Sequence, residues 1–364
     1  MSFRMIRTCI WCLIIIAVSC KKDKPQTPAP AVPEDTSVQV VLASVPYERL
    51  SDYHFFTGAL RDQNPNAGVL PYTLASTLFT DYALKKRFVW MPDGKTAQYV
   101  ADDKILDFPV GAVLIKNFYY DRVLPLLNQK LLETRIMVQT DTGWLFAEYV
   151  WNEAQTEAYL DMNGSNVALD WMSETGANRH ATYRIPSAVE CKTCHKSNET
   201  AIPIGPKPQN LNNTFTYNNG AQNQLRKWVE MGYLEDNLPA HIVSTVDYTD
   251  GTQPLPDRVR SYLDINCGHC HQEGSHCSYR PLRLGFSETT DLSHLGVCIF
   301  PDEAISDTLK YIITPGMPNR SVLYYRLKST EEGTRMPLLG RTLVHQEGLD
   351  LIKEWINSLP PCTP

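Results

Sequence analysis

Asn266-Cys267-Gly268-His269-Cys270-His271 is the stretch that decides how this chain is read. Two thiols three residues apart share one side of a helical turn, so each can add across a vinyl group of the same haem. The histidine that follows is placed to bind the iron. The same grammar recurs at Cys191-Lys192-Thr193-Cys194-His195. A CxxC pair also serves zinc sites and redox dithiols. Two copies, each with histidine in the fifth place and in a chain with an export signal, favour two covalent c-type haems. Cys191, Cys194, Cys267 and Cys270 are then the attachment points, and His195 and His271 the iron ligands.

Working outward from the second motif, Pro254 and Pro256 open a helix in which Leu255, Val259, Tyr262 and Leu263 form a stripe leading into Cys267. A second amphipathic helix is predicted from Gln346 to Leu359, stopped by Pro360 and Pro361. Around the first motif, residues 174–252 show little regular signal beyond a helical face in Ala221 to Leu234. Before residue 173 the pattern changes. Short β-branched and aromatic runs occur at 87–90, 111–118, 134–138 and 144–151, with Asp141-Thr142-Gly143 reading as a hairpin turn. The Trp and Tyr residues of this part read as core and cross-strand packing. The expected fold class is multidomain α+β. A β-rich domain (38–173) precedes a mainly α haem region, made of a first haem segment (174–252) and a cytochrome c-like domain (253–364).

With 364 residues, 43% of them hydrophobic, the chain is long enough for two or three domains. The N-terminus carries Arg4 and Arg7, then an apolar run from Cys9 to Val18 that is too short to span a bilayer. Ala17-Val18-Ser19-Cys20 resembles the lipobox of bacterial lipoproteins, which implies a signal peptide at 1–19 and acylation of Cys20. A proline-rich tether (20–37) follows, reaching roughly 50 Å if extended at ~3 Å per residue. Loss of the signal takes the formal net charge from −6 to −8, and no basic patch suggests nucleic acid. Of the ten cysteines, Cys277, Cys298 and Cys362 are left after signal, anchor and haems. One pair of them is expected to form a disulfide, in any of three pairings.

Each iron has a further axial position. Arg335-Met336-Pro337-Leu338-Leu339-Gly340 resembles the Met-Pro loop of cytochrome c domains, so Met336 is the expected sixth ligand of the second haem. Met317, in Pro315-Gly316-Met317-Pro318, is its rival and reads as a turn. For the first haem, Met231, His180, His241 and Met172 stay open. His269 is expected to point away from its own turn, and His276, His294 and His345 to be structural. With Asp81-Tyr82-Ala83-Leu84-Lys85-Lys86-Arg87-Phe88-Val89-Trp90, Phe108-Pro109-Val110-Gly111 and Tyr149-Val150-Trp151-Asn152, these motifs resemble a family of exported bacterial dihaem c-type cytochromes over most of residues 70–360.

That resemblance implies a cell-envelope protein, lipid-anchored in the outer membrane and facing the periplasm or the cell surface. It would pass single electrons between redox partner proteins. The alternative is a dihaem reductase of the peroxidase type with one open haem. The anchor has a direct check: Cys20→Ala is expected to move the protein from the membrane fraction to the soluble fraction. Unchanged membrane association would place the anchor elsewhere.

Overall fold

The alternating residues from 84 to 151 fold as an antiparallel meander, because each strand presents apolar side chains to both of its sides. The computed structural model describes residues 36–362, and in it this meander is the middle of an eight-stranded antiparallel sheet. Its strands are β1 (Leu70–Tyr72), β2 (Leu84–Trp90), β3 (Val113–Val123), β4 (Asn128–Thr140), β5 (Gly143–Trp151), β6 (Ala158–Leu160), β7 (Ser165–Met172) and β8 (Asn178–Ile185). The order in space is β8-β7-β3-β4-β5-β6, with β2 paired to the first half of β3 and β1 outside β2. β4 and β5 close over Asp141-Thr142, Thr140 lying opposite Gly143, where the sequence predicts the hairpin. The signal segment, Cys20 and most of the tether lie outside the described residues.

Consecutive residues are buried along β3: Val113 and Ile115 at 0% exposure and Leu114 between them at 6%. Both faces of the sheet are therefore covered. On one face Val113, Ile115, Ile136 and Tyr149 pack against Leu50, Tyr53 and Phe55 of the N-terminal segment. On the other, Leu114, Met137, Val89 and Tyr72 pack against Leu211, Leu225, Trp228 and Ile265, residues that flank the two CxxCH motifs. Trp228 is fully buried and meets Tyr72 edge to face, with ring centroids 5.6 Å apart.

The helices after the sheet are short: α1 (Ala188–Cys194), α2 (Gln224–Glu230), α3 (Leu255–Leu263), α4 (Val322–Lys328) and α5 (Gln346–Ser358). α3 runs on as a single π-helical turn, Asp264–Gly268, which carries Cys267. α3 and α5 occupy the two amphipathic stretches read from the sequence. They share a core of Val259, Tyr262, Leu263, Ile352, Trp355 and Ile356. Gly348 sits inside α5 because a Cβ there would overlap the Tyr262 ring. None of these helices is long and apolar enough to cross a membrane.

The expected multidomain α+β arrangement, with a mainly α haem region and a cytochrome c-like domain at 253–364, is overturned. Strands make up 27% of the structure and helices 19%. Between Gly268 and Val322 the prolines at 281, 301, 315 and 318 interrupt any helix. The backbone there pairs through turns and isolated bridges, such as Val297 with Ile313. The segment after residue 174 adds strands as well: β8 and the hairpin of Thr214–Tyr217 with Gly220–Asn223. Residues Ser37–Pro364 form one compact unit. α2 reaches burial against the sheet through Leu225 and Trp228, while α3, α4 and α5 pack on one another.

Of the three unassigned cysteines, Cys298 and Cys362 are bonded, 64 residues apart in sequence, and Cys277 is free and buried. The bond ties the end of the chain beyond α5 to the loop at 296–299. Closing a loop of that length restricts the unfolded chain by about 4 kcal/mol. Cys362→Ser is expected to lower the urea midpoint of the oxidised protein correspondingly; an unchanged midpoint would mean the pair contributes nothing.

Candidate functional site

The first motif owes its position to the cap of α1. Ser187 accepts from the Glu190 backbone N–H while Glu190 accepts from the Ser187 N–H, a reciprocal capping box. Arg184, at the end of β8, grips the same carboxylate with Nε at 3.1 Å and Nη2 at 2.7 Å. Arg184 and the Ser187 N–H hold the Glu190 carboxyl at about 2. The helix that carries Cys191 and Cys194 is thereby attached to the sheet edge at a fixed angle.

The second motif is fixed by buried polar side chains. Asp264 accepts from Gln209 Nε2 at 3.1 Å and from the Phe286 N–H at 3.0 Å, and Asn266 accepts from the Phe79 N–H at 2.8 Å. Gly268 is required by close approach, since a Cβ would lie 3.2 Å from the Leu284 carbonyl oxygen. Arg341 gathers the Met-Pro loop, donating to the carbonyls of Met336, Leu343, Arg326, Leu327 and Ser329. Asp81 accepts from the Thr342 and Leu343 N–H groups and brings that loop to the entry of β2.

The two motifs, 76 residues apart in sequence, meet. Ligand atoms of Cys194, His269 and Cys270 all lie within 4.8 Å of one another. His269 therefore turns toward the junction, and its buried Nδ1 has no hydrogen-bond partner. Cys270 and then His269 hold the Cys194 thiol well below the usual range, while Cys194 and burial push Cys270 up, so one proton serves the pair.

Three adjoining cavities, of about 630, 790 and 440 Å³ including their mouths, run past the motifs. The first is lined by Cys191, His195, Phe146, Met162 and the face of the sheet. The second lies between Cys191, Cys194, His195 and His269, with Leu78, Phe79 and Leu339 on its walls. The third holds Cys267, Cys270, His271, Met336 and Leu338.

The residues present fit two covalently attached haems. Each cavity system supplies two thiols, an imidazole and apolar walls. Burial lowers His195 to about 3 and His271 to about 4, so both rings are neutral with a lone pair free for a metal. His195 Nδ1 lies 3.0 Å from the Ile202 carbonyl oxygen, which orients the ring where it lines the cavity. His271 Nδ1 is buried and unpartnered.

Met336 lines the cavity of His271, together with the exposed His276; Met317 is half exposed and does not. None of Met231, His180, His241 and Met172 lines a cavity of Cys191 and His195. His180 is exposed and paired with Asp170, and Met172 lines a separate cleft. Met137 and Met162 are the thioethers at the first motif. Met162 sits between β6 and β7, where no local pattern marks a ligand. His345 is structural, stacked on Phe79 at 4.1 Å with Nδ1 3.1 Å from the Tyr262 hydroxyl. His294 Nδ1 lies 3.0 Å from the Glu288 carbonyl oxygen.

No known protein family, curated protein or solved structure matches the chain. The capping arrangement yields a pH test. A carboxyl held at about 2 in the fold and near its ordinary value when unfolded stabilises fully above about pH 4.5, and this is lost as pH falls toward 2. Glu190→Gln is expected to cost roughly 1 kcal/mol at pH 7, with the difference from wild type narrowing between pH 5 and pH 3 in urea unfolding. A pH-independent difference would contradict the assigned ion pair.

Proposed function

We propose that the chain is a dihaem c-type cytochrome of the bacterial cell envelope that carries single electrons between redox partner proteins. Its lipid anchor is at Cys20. The observation that carries this reading is the meeting of the two CxxCH motifs at Cys194, His269 and Cys270. Attachment points that adjoin put two redox centres side by side, as a relay requires. When bound, each haem supplies one-electron ferric–ferrous chemistry.

The chain's own residues do the rest. Cys191, Cys194, Cys267 and Cys270 would hold the haems, each S–H adding across a vinyl C=C, sulfur to one carbon and hydrogen to the other, with no outside oxidant. His195 and His271, kept neutral by burial, would hold the iron of the two haems. Met336, its backbone carbonyl held by Arg341 Nε at 2.9 Å, would offer the iron at the second motif a thioether. A soft thioether there favours the ferrous state and raises the potential. Pro337, Leu338 and Leu339 keep water from that face.

A dihaem reductase of the peroxidase type is the second reading, favoured by one detail of the first motif. Met162 Sδ already accepts the Glu148 N–H at 3.3 Å, which leaves that side without an uncommitted thioether other than Met137. The ferric electron paramagnetic resonance spectrum separates the two: two low-spin signals fit the relay, and one high-spin signal fits the reductase.

The pyridine haemochrome is expected to give two haems per chain, neither extractable into acidified organic solvent. Zinc bound at Cys194, His269 and Cys270 with no haem present would sink the reading. Met336→Ala is expected to abolish the near-infrared thioether-to-iron band and to shift one of two redox waves downward, while Met317→Ala does neither. The reverse pattern would assign the ligand to Met317.

A further inference from the structure

One row of charged residues crosses the sheet with its members directly opposite one another. Arg87 of β2 faces Lys116 of β3, Lys116 faces Arg135 of β4, and Arg135 faces Glu148 of β5. Like charges on facing residues repel. Three basic side chains side by side on a covered face hold their charge only with an anion beside them; without one, burial and then Arg87 and Arg135 push Lys116 well below its ordinary range. Arg135 has one: its Nε and Nη2 donate to Glu133 at 3.1 and 2.6 Å. Glu148 lies 3.1 Å from Arg135 Nε, yet neither of its oxygens accepts a hydrogen bond. Burial and then Glu133 push its acid well up.

Arg87 and Lys116 have no carboxylate within ion-pair distance among the described residues. Arg87 is 5% exposed and its Nη2 has no hydrogen-bond partner. Lys116 Nζ has only the Phe118 ring, 4.7 Å from its centroid. An uncompensated charge on a buried surface is costly, and a fold keeps it where something else supplies the partner. The whole row lines the cavity of Cys191 and His195.

We propose that Arg87 and Lys116 bind the propionate carboxylates of the haem attached at Cys191 and Cys194, an inference that rests on the dihaem reading above. Thioether bonds leave a haem at one edge and propionates at the opposite edge, so the anion site belongs away from the cysteines. The row has that polarity. Lys116 and Arg135 also line the second cavity beside Cys194, whereas Arg87 lines only the first, and it stands three strands from Glu148, roughly 14 Å at the usual strand spacing. Leu114 and Met137 between them give the apolar surface a macrocycle needs. Arg87 and Lys116 are thus positioning residues that also set the potential.

The test uses the haem-loaded protein and spectroelectrochemical titration of wild type, Arg87→Leu, Lys116→Met and Arg87→Lys. Removing a cation beside the carboxylates favours the ferric state. One of the two redox waves is therefore expected to move down in Arg87→Leu and in Lys116→Met and to return to its wild-type position in Arg87→Lys. Loss of one haem in Arg87→Leu that Arg87→Lys restores also supports the assignment, because the cofactor then needs the cation to be seated. Unmoved waves in both charge-removing variants, with two haems bound, overturn it. A Soret shift when nitrite is added to wild type, absent in Arg87→Leu, overturns it too and makes the row a site for an external anion. Wild-type protein without haem overturns the dihaem reading itself, and is seen before any variant is made.

Discussion

A sheet buried on both faces must find cover for each, and here the cover on one side is the segment that carries both CxxCH motifs. Leu211, Leu225, Trp228 and Ile265 contribute to the same core as Leu70, Val89 and Met137 of the strands. The helices around the motifs are too short to be stable alone; isolated helices of this length are marginal in water. The helix at Gln224–Glu230 holds because the sheet completes its burial through Leu225 and Trp228, while α3, α4 and α5 bury one another.

Where regular structure gives out, buried polar side chains satisfy the backbone instead. Asp81, Asp264, Asn266 and Arg341 each bond backbone groups from distant segments, and together they hold the loops around the second motif. Buried N–H and C=O groups must be paired, and in a chain broken by proline side chains take over from ladders. Such sites are rigid through enthalpic contacts specific to each position. That rigidity suits the loop 335–340, which lines the cavity of His271 and has no strand or helix of its own.

The electrostatics of the interior run in the same direction. His195 and His271 are kept neutral by burial, Glu148 is pushed well up by burial and then Glu133, and Glu133 is lowered, against its burial, by Arg135. Burial, with Arg87 and Arg135 beside it, pushes the Lys116 ammonium well below its ordinary range. A haem, as proposed above, would bring carboxylates to such a surface and would need neutral imidazoles.

The sequence by itself determined whatever depends on near neighbours. CxxCH spacing, the apolar stripes of α3 and α5 and the Asp141-Thr142 turn are set by the geometry of one helical turn or one hairpin, and each is legible within a dozen residues. Only the tertiary structure decided what depends on pairing over long separations. The contact of Cys194 with Cys270, the choice of Cys298 with Cys362, Met162 beside the first motif and the row of Arg87, Lys116, Arg135 and Glu148 all join residues from separate elements. Strand register brings such residues face to face, and a shift of one residue would send them to the opposite side of the sheet. No local pattern records that register, because it is settled by which faces the whole chain can bury.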